Sequence, residues 1–554
     1  MNGPAIKHGD HRDRLRSPRM RRRRTFAMGM AALGAFGLVA GQLVRFGMMP
    51  GPSVSLAAAK PIARGWARPD IADRRGRLLA TDIAAPSVFA DPALLVDVDE
   101  AIEFLRPIFP EIKWREMRGR LEDRRRRFVW IKRGITPKLA QRIYNLGLPG
   151  IAFRNELRRV YPAGNTTAHV IGYTDIDNRG RSGIEKFIDD VIGIDATDGA
   201  VRSRRAPVRL TLDLGIQHVL RGELAAGQAR YKAKAAAGIV MDVNTGAIVA
   251  AASLPDFNPN EADEALRAER LDRLTQGRYE LGSVFKALTV ATALDLRLAD
   301  ANKRYDTRTP LKAGKYTIRD SHPASRWLSV EEIFVHSSNV GAALIGMDIG
   351  RNHMKAYLDT LGLTEKMDTA MGPLTQPKLP AHWQDVHTMT MSYGHGIAVT
   401  PLQFAAASAA LVNGGRRVYP RFVEVAAERP GEQVLAGDVS REMRRLFRLN
   451  VTSRSGTGRY AAVPGYHVGG KTGTADQPRD ARYTDGRVIS SFLGMFPAGN
   501  PKYLTYVLLF EPQPTAASNG KISASRTAAP LTARIIKRAA PMLGIAPSYP
   551  DSDS

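Results

Sequence analysis

The sequence contains no cysteine in 554 residues. That absence excludes disulfide bonds, thiolate catalysis, Cys-ligated zinc and iron–sulfur clusters. It leaves the compartment open, although it suits a chain that folds unaided in an oxidising space. Acidic residues are in deficit, with 54 Asp+Glu against 80 Lys+Arg and a net charge of +26. A surplus of that sign favours anionic neighbours, whether nucleic acid, anionic lipid or an acidic polymer. The histidines lack the spacing of metal ligands, and no internal repeat is visible. Long apolar runs are scarce, and the one that matters lies near the N-terminus. With 44% apolar and 24% charged residues, neither a disordered chain nor a bundle of membrane spans fits. The length accommodates two large domains or three to four of about 150 residues.

Residues 1–25 carry nine basic side chains, Lys7, Arg12, Arg14, Arg16, Arg19 and Arg21 to Arg24, against Asp10 and Asp13. The uncharged run from Phe26 to Val44 follows. At about 1.5 Å per residue it reaches roughly 28 Å, enough to cross a bilayer core. We therefore expect a basic tail at 1–25 and a transmembrane helix at 26–47, single-pass in the inner membrane. The basic flank predicts a cytoplasmic N-terminus and a periplasmic remainder. A cleaved signal peptide fits less well, because the Ala57-Ala58-Ala59 site lies far downstream and Arg45 intervenes. Beside such a span the four-arginine run reads as a topology signal, so no nucleic-acid partner is expected.

Residues 48–66 read as a linker rich in Gly, Pro, Ala and Ser. A strand, a turn at Arg75-Gly76 and a second strand are expected over 68–80, and helices over 100–147. The run Arg124 to Arg127 reads as a solvated face or loop. Glycines at 164, 172, 180 and 183 suggest tight loops with a structural role. Near 207 the pattern changes. A strand (208–212), a helix (214–235) and a hairpin turning at Asn244-Thr245-Gly246 are followed by Ala-rich helical patterns at 262–300, 329–362 and 400–412. Strands at 490–496 and 504–510 and a helix at 527–543 close one α+β domain, 207–545, leaving a flexible tail at 546–554.

Three short motifs carry possible chemistry. Ser283 and Lys286 are three apart, a spacing that shares a helix face, so a lysine of lowered pKa can serve as base for the hydroxyl. Ser337-Ser338-Asn339 adds a hydroxyl and an amide after a helical pattern. Lys471, Thr472, Gly473 and Thr474, if extended, present a cation and two hydroxyls on a strand edge, suited to a carboxylate and an oxyanion. Each motif is weak alone, since serines and asparagines commonly cap helices and a lysine on an edge strand is usually solvated. Residues 465–472 also match the G-x-x-x-x-G-K-[ST] nucleotide loop, but Gly473 and Pro478 argue against the helix that loop requires. His395, in a Tyr-Gly-His-Gly loop, reads as a supporting residue.

In the order SxxK, SxN and KTG, the three motifs form the pattern of penicillin-interacting serine acyltransferases. The chain closely resembles class B penicillin-binding proteins, and among them the division-specific (FtsI-like) peptidoglycan D,D-transpeptidases. The resemblance includes RPDIADRRGRLLA at 68–80, where Arg68, Asp73 and Gly76 match, and RVYPAGNTTAHVIGYTDIDNRGRSGIE at 159–185. LTLDLGIQ at 210–217, SSNVG at 337–341, SYGHGIAVTPLQ at 392–403 and GYHVGGKTGTA at 465–475 extend it. It implies an elongated dimerisation or pedestal domain within 48–206 and, at 207–545, a penicillin-binding transpeptidase domain whose sheet and helices are like those of serine β-lactamases.

It also implies roles. Ser283 attacks the D-Ala-D-Ala carbonyl of a stem peptide and Lys286 is its base. Ser337 and Asn339 relay the proton and hold the donor. Lys471, Thr472 and Thr474 bind the terminal carboxylate, Gly473 lets the strand approach, and the Ser283 and Thr474 N–H groups form the oxyanion hole. β-Lactams acylate the same serine. No cofactor and no metal are implied. The expected partners are a separate membrane-embedded glycan polymerase and other division proteins, because the region before 207 leaves no room for a glycosyltransferase domain. Asn339 favours the division type over elongation relatives, which often carry aspartate there, while His395 departs from a common tyrosine. Competing readings are a catalytically silent divisome scaffold, a β-lactam sensor, and a β-lactamase or carboxypeptidase.

Overall fold

The computed structural model describes residues 68–193, 206–314, 316–427, 431–479 and 482–549, with seven further positions between Met30 and Gly41. The chain divides into two units, 1–64 and 65–554. In the first, the described positions are helical and Met30, Leu33, Phe36 and Leu38 are exposed. The basic tail, the linker and most of the expected span lie outside the described residues. Among the described residues no helix is long and apolar enough to cross a membrane.

In the second unit, the expected hairpin near Arg75 forms between β1 (Ile71–Ala72) and β2 (Leu78–Ala90). Gly76 supplies the positive φ of +80° that its turn needs. β2 continues to Ala90 and pairs antiparallel with β3 (Val129–Lys132) and β4 (Ile151–Val160). β5 (Val208–Arg209) joins β1 in parallel. The helical stretch expected at 100–147 resolves into α1 (Val98–Leu105), α2 (Trp114–Glu122) and α3 (Pro137–Tyr144), with β3 between the last two. Leu105, Trp114, Leu121, Ile131 and Ile143 form their core. Arg126 and Arg127 of the basic run pair with Asp123 and Asp91 on the surface.

A buried ion cluster ties the Gly-rich segment to this sheet. Glu185 accepts from Arg68 Nε at 2.8 Å and from Arg159 Nε at 2.7 Å. Arg68 also reaches Asp189, and Arg159 reaches Asp82. The glycines around it have a packing reason: a Cβ on Gly180 would sit 2.2 Å from the Glu185 carbonyl oxygen.

The larger sheet has five antiparallel strands. They are β6 (Ala235–Asp242), β7 (Ile248–Leu254), β8 (Gly469–Arg479), β9 (Arg482–Phe496) and β10 (Tyr503–Phe510), in the order β8-β9-β10-β6-β7. The β6–β7 hairpin turns at Asn244-Thr245-Gly246, where Gly246 has φ +72°. All eight residues of β10 are buried because both faces of the sheet are covered. Alternation sorts them: Tyr503, Val507 and Leu509 join one core with α4 (Leu214–Arg230) and α11 (Ala528–Met542). Leu504, Tyr506 and Leu508 face the other, with α5 (Lys286–Asp295) and α9 (Pro401–Ala409).

The intervening helices are α6 (Val330–His336), α7 (Asn339–Thr360) and α8 (Asp385–Met391), and α10 (Gly437–Thr452) follows α9. Three expectations need correction. The first helix ends at Arg230, not 235, because the chain turns at Lys232 (φ +45°) into β6. The strand expected at 208–212 is confined to β5, beyond which Leu210 makes only an isolated bridge to Val423. The stretch 262–281 holds two short 3₁₀ turns, Ala262–Leu266 and Ala268–Arg270, instead of a helix. Its charges leave no continuous apolar stripe to bury, and Leu266 is 76% exposed. Of the tail expected from 546, residues to 549 are described, and Ser548 N donates to Gly465 O at 2.7 Å.

Candidate active site

Ser283 does not lie on a regular helix. Gly282–Phe285 form a 3₁₀ turn and α5 begins at Lys286. Gly282 has φ +62°, and its carbonyl faces Gly394, where a Cβ would approach to 2.2 Å. These glycines let the 392–396 loop close against the turn. Ser283 is left half-buried and Lys286 fully buried. Among the described residues the Ser283 hydroxyl makes no hydrogen bond.

The second motif fills the break between α6 and α7. A reciprocal cap between Ser329 and Glu332 starts α6. Ser337 then takes the left-handed conformation (φ 61°, ψ 43°), which costs a non-glycine residue roughly 1–3 kcal/mol. Ser338 caps α7, its Oγ accepting from Gly341 N at 2.9 Å. The strained turn aims Ser337 and Asn339 at two lysines. Lys286 Nζ donates to Asn339 Oδ1 at 2.7 Å, to Ser337 Oγ at 3.2 Å and to the Ser337 carbonyl. Lys471 Nζ donates to Ser337 Oγ at 2.9 Å.

The third motif lies on β8, at the sheet edge beside the Ser283 turn. Where a nucleotide-binding loop would require a helix, the residues after Thr472 continue the strand, in keeping with the reading of Gly473 and Pro478. Lys471 is fully buried, its ammonium 5.8 Å from the Phe334 ring centroid. A Cβ on Gly473 would come within 2.6 Å of Ser491 Oγ and 2.8 Å of the Leu281 carbonyl oxygen, so glycine allows this close approach. The two threonine hydroxyls are engaged locally. Thr472 Oγ1 donates to Thr457 Oγ1 at 2.7 Å, and Thr474 Oγ1 accepts from Ala524 N at 3.1 Å.

Three residues that the motifs do not announce support this arrangement. Asn450 on α10 accepts from Thr457 N and Oγ1, both at 3.1 Å, and donates to Gly470 O at 2.7 Å. It thus ties the Thr457 loop to β8. Asp320 accepts from Ser338 Oγ at 2.6 Å and Val340 N at 3.0 Å. The Ser-Gly-Thr-Gly run at 455–458 has the composition of a loop, but no sequence signal places it beside β8.

Burial pushes Lys286 well below the usual lysine range, and the nearby Lys471 charge adds to that, with Asp320 opposing. Burial alone lowers Lys471 to about 7. His395 is also lowered by burial, with Glu280 and Asp476 pulling it back and Lys286 pushing it further down. The site can therefore present a neutral amine near neutral pH, linked through one serine hydroxyl to a second amine. Among the described residues no cluster of three or more His, Asp or Glu could hold a metal.

The family model for the penicillin binding protein transpeptidase domain matches residues 236–536. The model for the penicillin-binding protein dimerisation domain matches residues 65–198. Similar curated proteins include the probable peptidoglycan D,D-transpeptidase FtsI of Caulobacter vibrioides, 37% identical over 86% of this chain and 82% of its own length. The probable peptidoglycan D,D-transpeptidase PenA of Neisseria meningitidis is 33% identical over 88% of this chain and 86% of its own. The peptidoglycan D,D-transpeptidase FtsI of Escherichia coli is 29% identical over 82% and 81%. With a dimerisation domain ahead of a transpeptidase domain, this chain belongs to the class B penicillin-binding proteins.

Proposed function

We propose that this protein is a peptidoglycan D,D-transpeptidase that cross-links stem peptides at the division septum through an acyl-serine, and that β-lactams acylate the same residue. The observation that carries the reading is the convergence of two buried amines, Lys286 and Lys471, on the Ser337 hydroxyl. In the proposed reaction, neutral Lys286 takes the Ser283 proton as Oγ attacks the penultimate D-alanine carbonyl. The N–H groups of Ser283 and Thr474 hold the oxyanion. The C–N bond breaks, and Ser337 passes a proton from Lys286 to the departing D-alanine amine. An acceptor amine then attacks the ester, gives up a proton by the same route, and frees Ser283.

Asn339 orients Lys286 and the donor peptide. Lys471, Thr472 and Thr474 take the donor's terminal carboxylate, with Gly473 letting β8 lie close to the Ser283 turn. That carboxylate favours the charged form of Lys471, so binding raises its proton affinity. A flat edge that accepts an extended peptide fits a stem peptide or its β-lactam mimic.

The proposed setting is the inner membrane. The run Phe26 to Val44 would serve as a single anchor, with the basic tail cytoplasmic and the catalytic region periplasmic. The division type is favoured by Asn339 and the Ser-Tyr-Gly-His-Gly loop. A membrane-embedded glycan polymerase and other division proteins complete the proposed partners. The domains assigned are 48–206 for linker and pedestal and 207–545 for transpeptidation. The test is covalent labelling of the full-length chain with a fluorescent penicillin, wild type beside Ser283→Ala. Labelling of the wild type alone supports the acyl-serine. Labelling of both moves the nucleophile elsewhere, and labelling of neither favours a silent scaffold.

A further inference from the structure

Asp320 is not part of any motif, yet it touches the second one at three points. It follows a short hairpin, Leu311–Ala313 with Tyr316–Ile318. Ile318 is buried against Val340 and Ala343 at the start of α7, which fixes the end of the hairpin to that helix. The next residue, Arg319, gives its carbonyl to Asn339 Nδ2 at 3.0 Å. Asp320 then closes over the turn. One carboxylate oxygen accepts from the Ser338 hydroxyl at 2.6 Å, and the other accepts from the N–H groups of Asn339 and Val340.

These contacts have a directional consequence. With Asn339 Nδ2 committed to the Arg319 carbonyl, its Oδ1 turns toward Lys286, 2.7 Å away. With Ser338, Asn339 and Val340 pinned, Ser337 is held in its left-handed conformation, with its hydroxyl between Lys286 and Lys471. The carboxylate also lies where a negative charge meets the N-terminus of α7, which runs helical to Ile349 before a break at Gly350.

We infer that Asp320 is a positioning residue of the acylation site: its carboxylate clamps the turn bearing Ser337 and Asn339, and its charge sets the field in which Lys286 takes the serine proton. The inference rests on the transpeptidase reading and deepens it. Three charged or titratable groups face Lys286 from the elements around it. Lys471 on β8 lowers its proton affinity, Asp320 raises it, and the charge of Lys286 in turn lowers the proton affinity of His395 in the 392–396 loop. Glu280 and Asp476 act on His395. Asp320 is therefore the acidic counterweight at the amine, and removing its charge alone should make Lys286 neutral at lower pH.

Clamp and charge can be separated. Asp320→Asn keeps an oxygen for the two backbone N–H groups and removes the charge. Asp320→Glu keeps the charge and misplaces the clamp. Asp320→Ala removes both. The experiment is the rate of acylation of the full-length chain by fluorescent penicillin as a function of pH, with thermal melts to establish that each variant is folded. The Asn variant should shift the acidic limb down by about half a pH unit or more. The Glu variant should leave the limb in place but lower the plateau. The Ala variant should shift the limb and lose roughly tenfold or more of the plateau rate. A structural role alone would lower melting temperature without moving the limb. An Asn profile that superimposes on wild type in midpoint would overturn the inference while leaving the transpeptidase reading intact. A folded wild type that takes no label would overturn that reading, and this inference with it. Should the Ala variant fail to fold, the Asn and Glu profiles decide the outcome.

Discussion

Lys471 donates to the hydroxyl of Ser337 at 2.9 Å, although 134 positions separate them in the chain. The contact joins the sheet edge to the turn between α6 and α7, and Lys286 completes it from the start of α5. In the proposed reaction the proton that Lys286 hands to the departing amine passes the Ser337 oxygen. Ser337→Ala should therefore slow acylation by about 10²-fold or more, within the range of general acid–base contributions. It should change folding stability little beyond the backbone strain it retains. The measurement is the second-order rate of penicillin acylation beside a urea melt.

Replacing Lys286 probes the same network from its buried end. The side chain is fully buried, and burial opposes its charge. Lys286→Met removes the proposed base while filling much of the same volume. Acylation should fall at least about 10³-fold, while stability stays level or rises, because burying an amine is costly and burying a thioether is not. A stable variant that still acylates at the wild-type rate would show that the Ser283 proton leaves by another route.

The pH dependence of stability has a definite sign. Lys471 titrates near 7 in the folded protein and near 10.5 when unfolded. Below about 7 both states bind the proton and the pair contributes no pH slope. As pH rises between those values the unfolded state still holds a proton that the folded state has lost, so stability increases. Lys286, shifted in the same direction, adds to the trend. Urea melts from pH 7 to 9.5 should show rising stability in wild type and a shallower slope in Lys471→Met. A slope of opposite sign that the substitution leaves unchanged would assign the linkage to other groups.

Far from the site, Glu185 is the shared acceptor of Arg68 and Arg159, and all three side chains are at most 2% exposed. Glu185→Gln leaves two buried guanidinium groups short of a partner. The expected loss is about 3–5 kcal/mol of stability, the usual effect of breaking a buried ion pair from one side. The folded fraction should still acylate at the wild-type rate. Loss of acylation without loss of stability would instead couple this cluster to the chemistry.

Much of this was legible from sequence, and the exceptions have physical causes. Ser283, Lys286, Ser337, Asn339 and Lys471 were readable because short motifs fix both residue type and order. The large-sheet strands 490–496 and 504–510 were readable because they are uncharged, largely apolar runs of strand length. β4 was not, because Ile151–Val160 is mostly half-exposed and carries Arg154, Glu156, Arg158 and Arg159, so its alternation does not separate a buried face from a wet one. Asp320, Asn450 and Thr457 were illegible for a different reason. Each acts through three hydrogen bonds to partners 7 to 20 positions away, and nothing within a local window marks such a partner.

The glycine at the centre of the third motif gives the last prediction. A Cβ at 473 would meet Ser491 Oγ at 2.6 Å, the Leu281 carbonyl oxygen at 2.8 Å and Val284 Cγ1 at 2.9 Å. Two of these neighbours belong to the segment that carries Ser283, and the carbonyl cannot rotate away as a side chain can. Gly473→Ala must therefore push β8 and the Ser283 turn apart by several tenths of an ångström. Lys471 and Thr474 move with β8, while Ser283 and Lys286 remain with α5. The displacement lies across the proposed oxyanion hole, where misplacement of about 1 Å can cost about 10²-fold in rate. Acylation should fall about tenfold or more while the fold survives, since β8 is the edge strand of its sheet and pairs with β9 alone. Wild-type kinetics in Gly473→Ala would mean that the approach of β8 to the Ser283 turn is not limiting, and would remove Gly473 from the site.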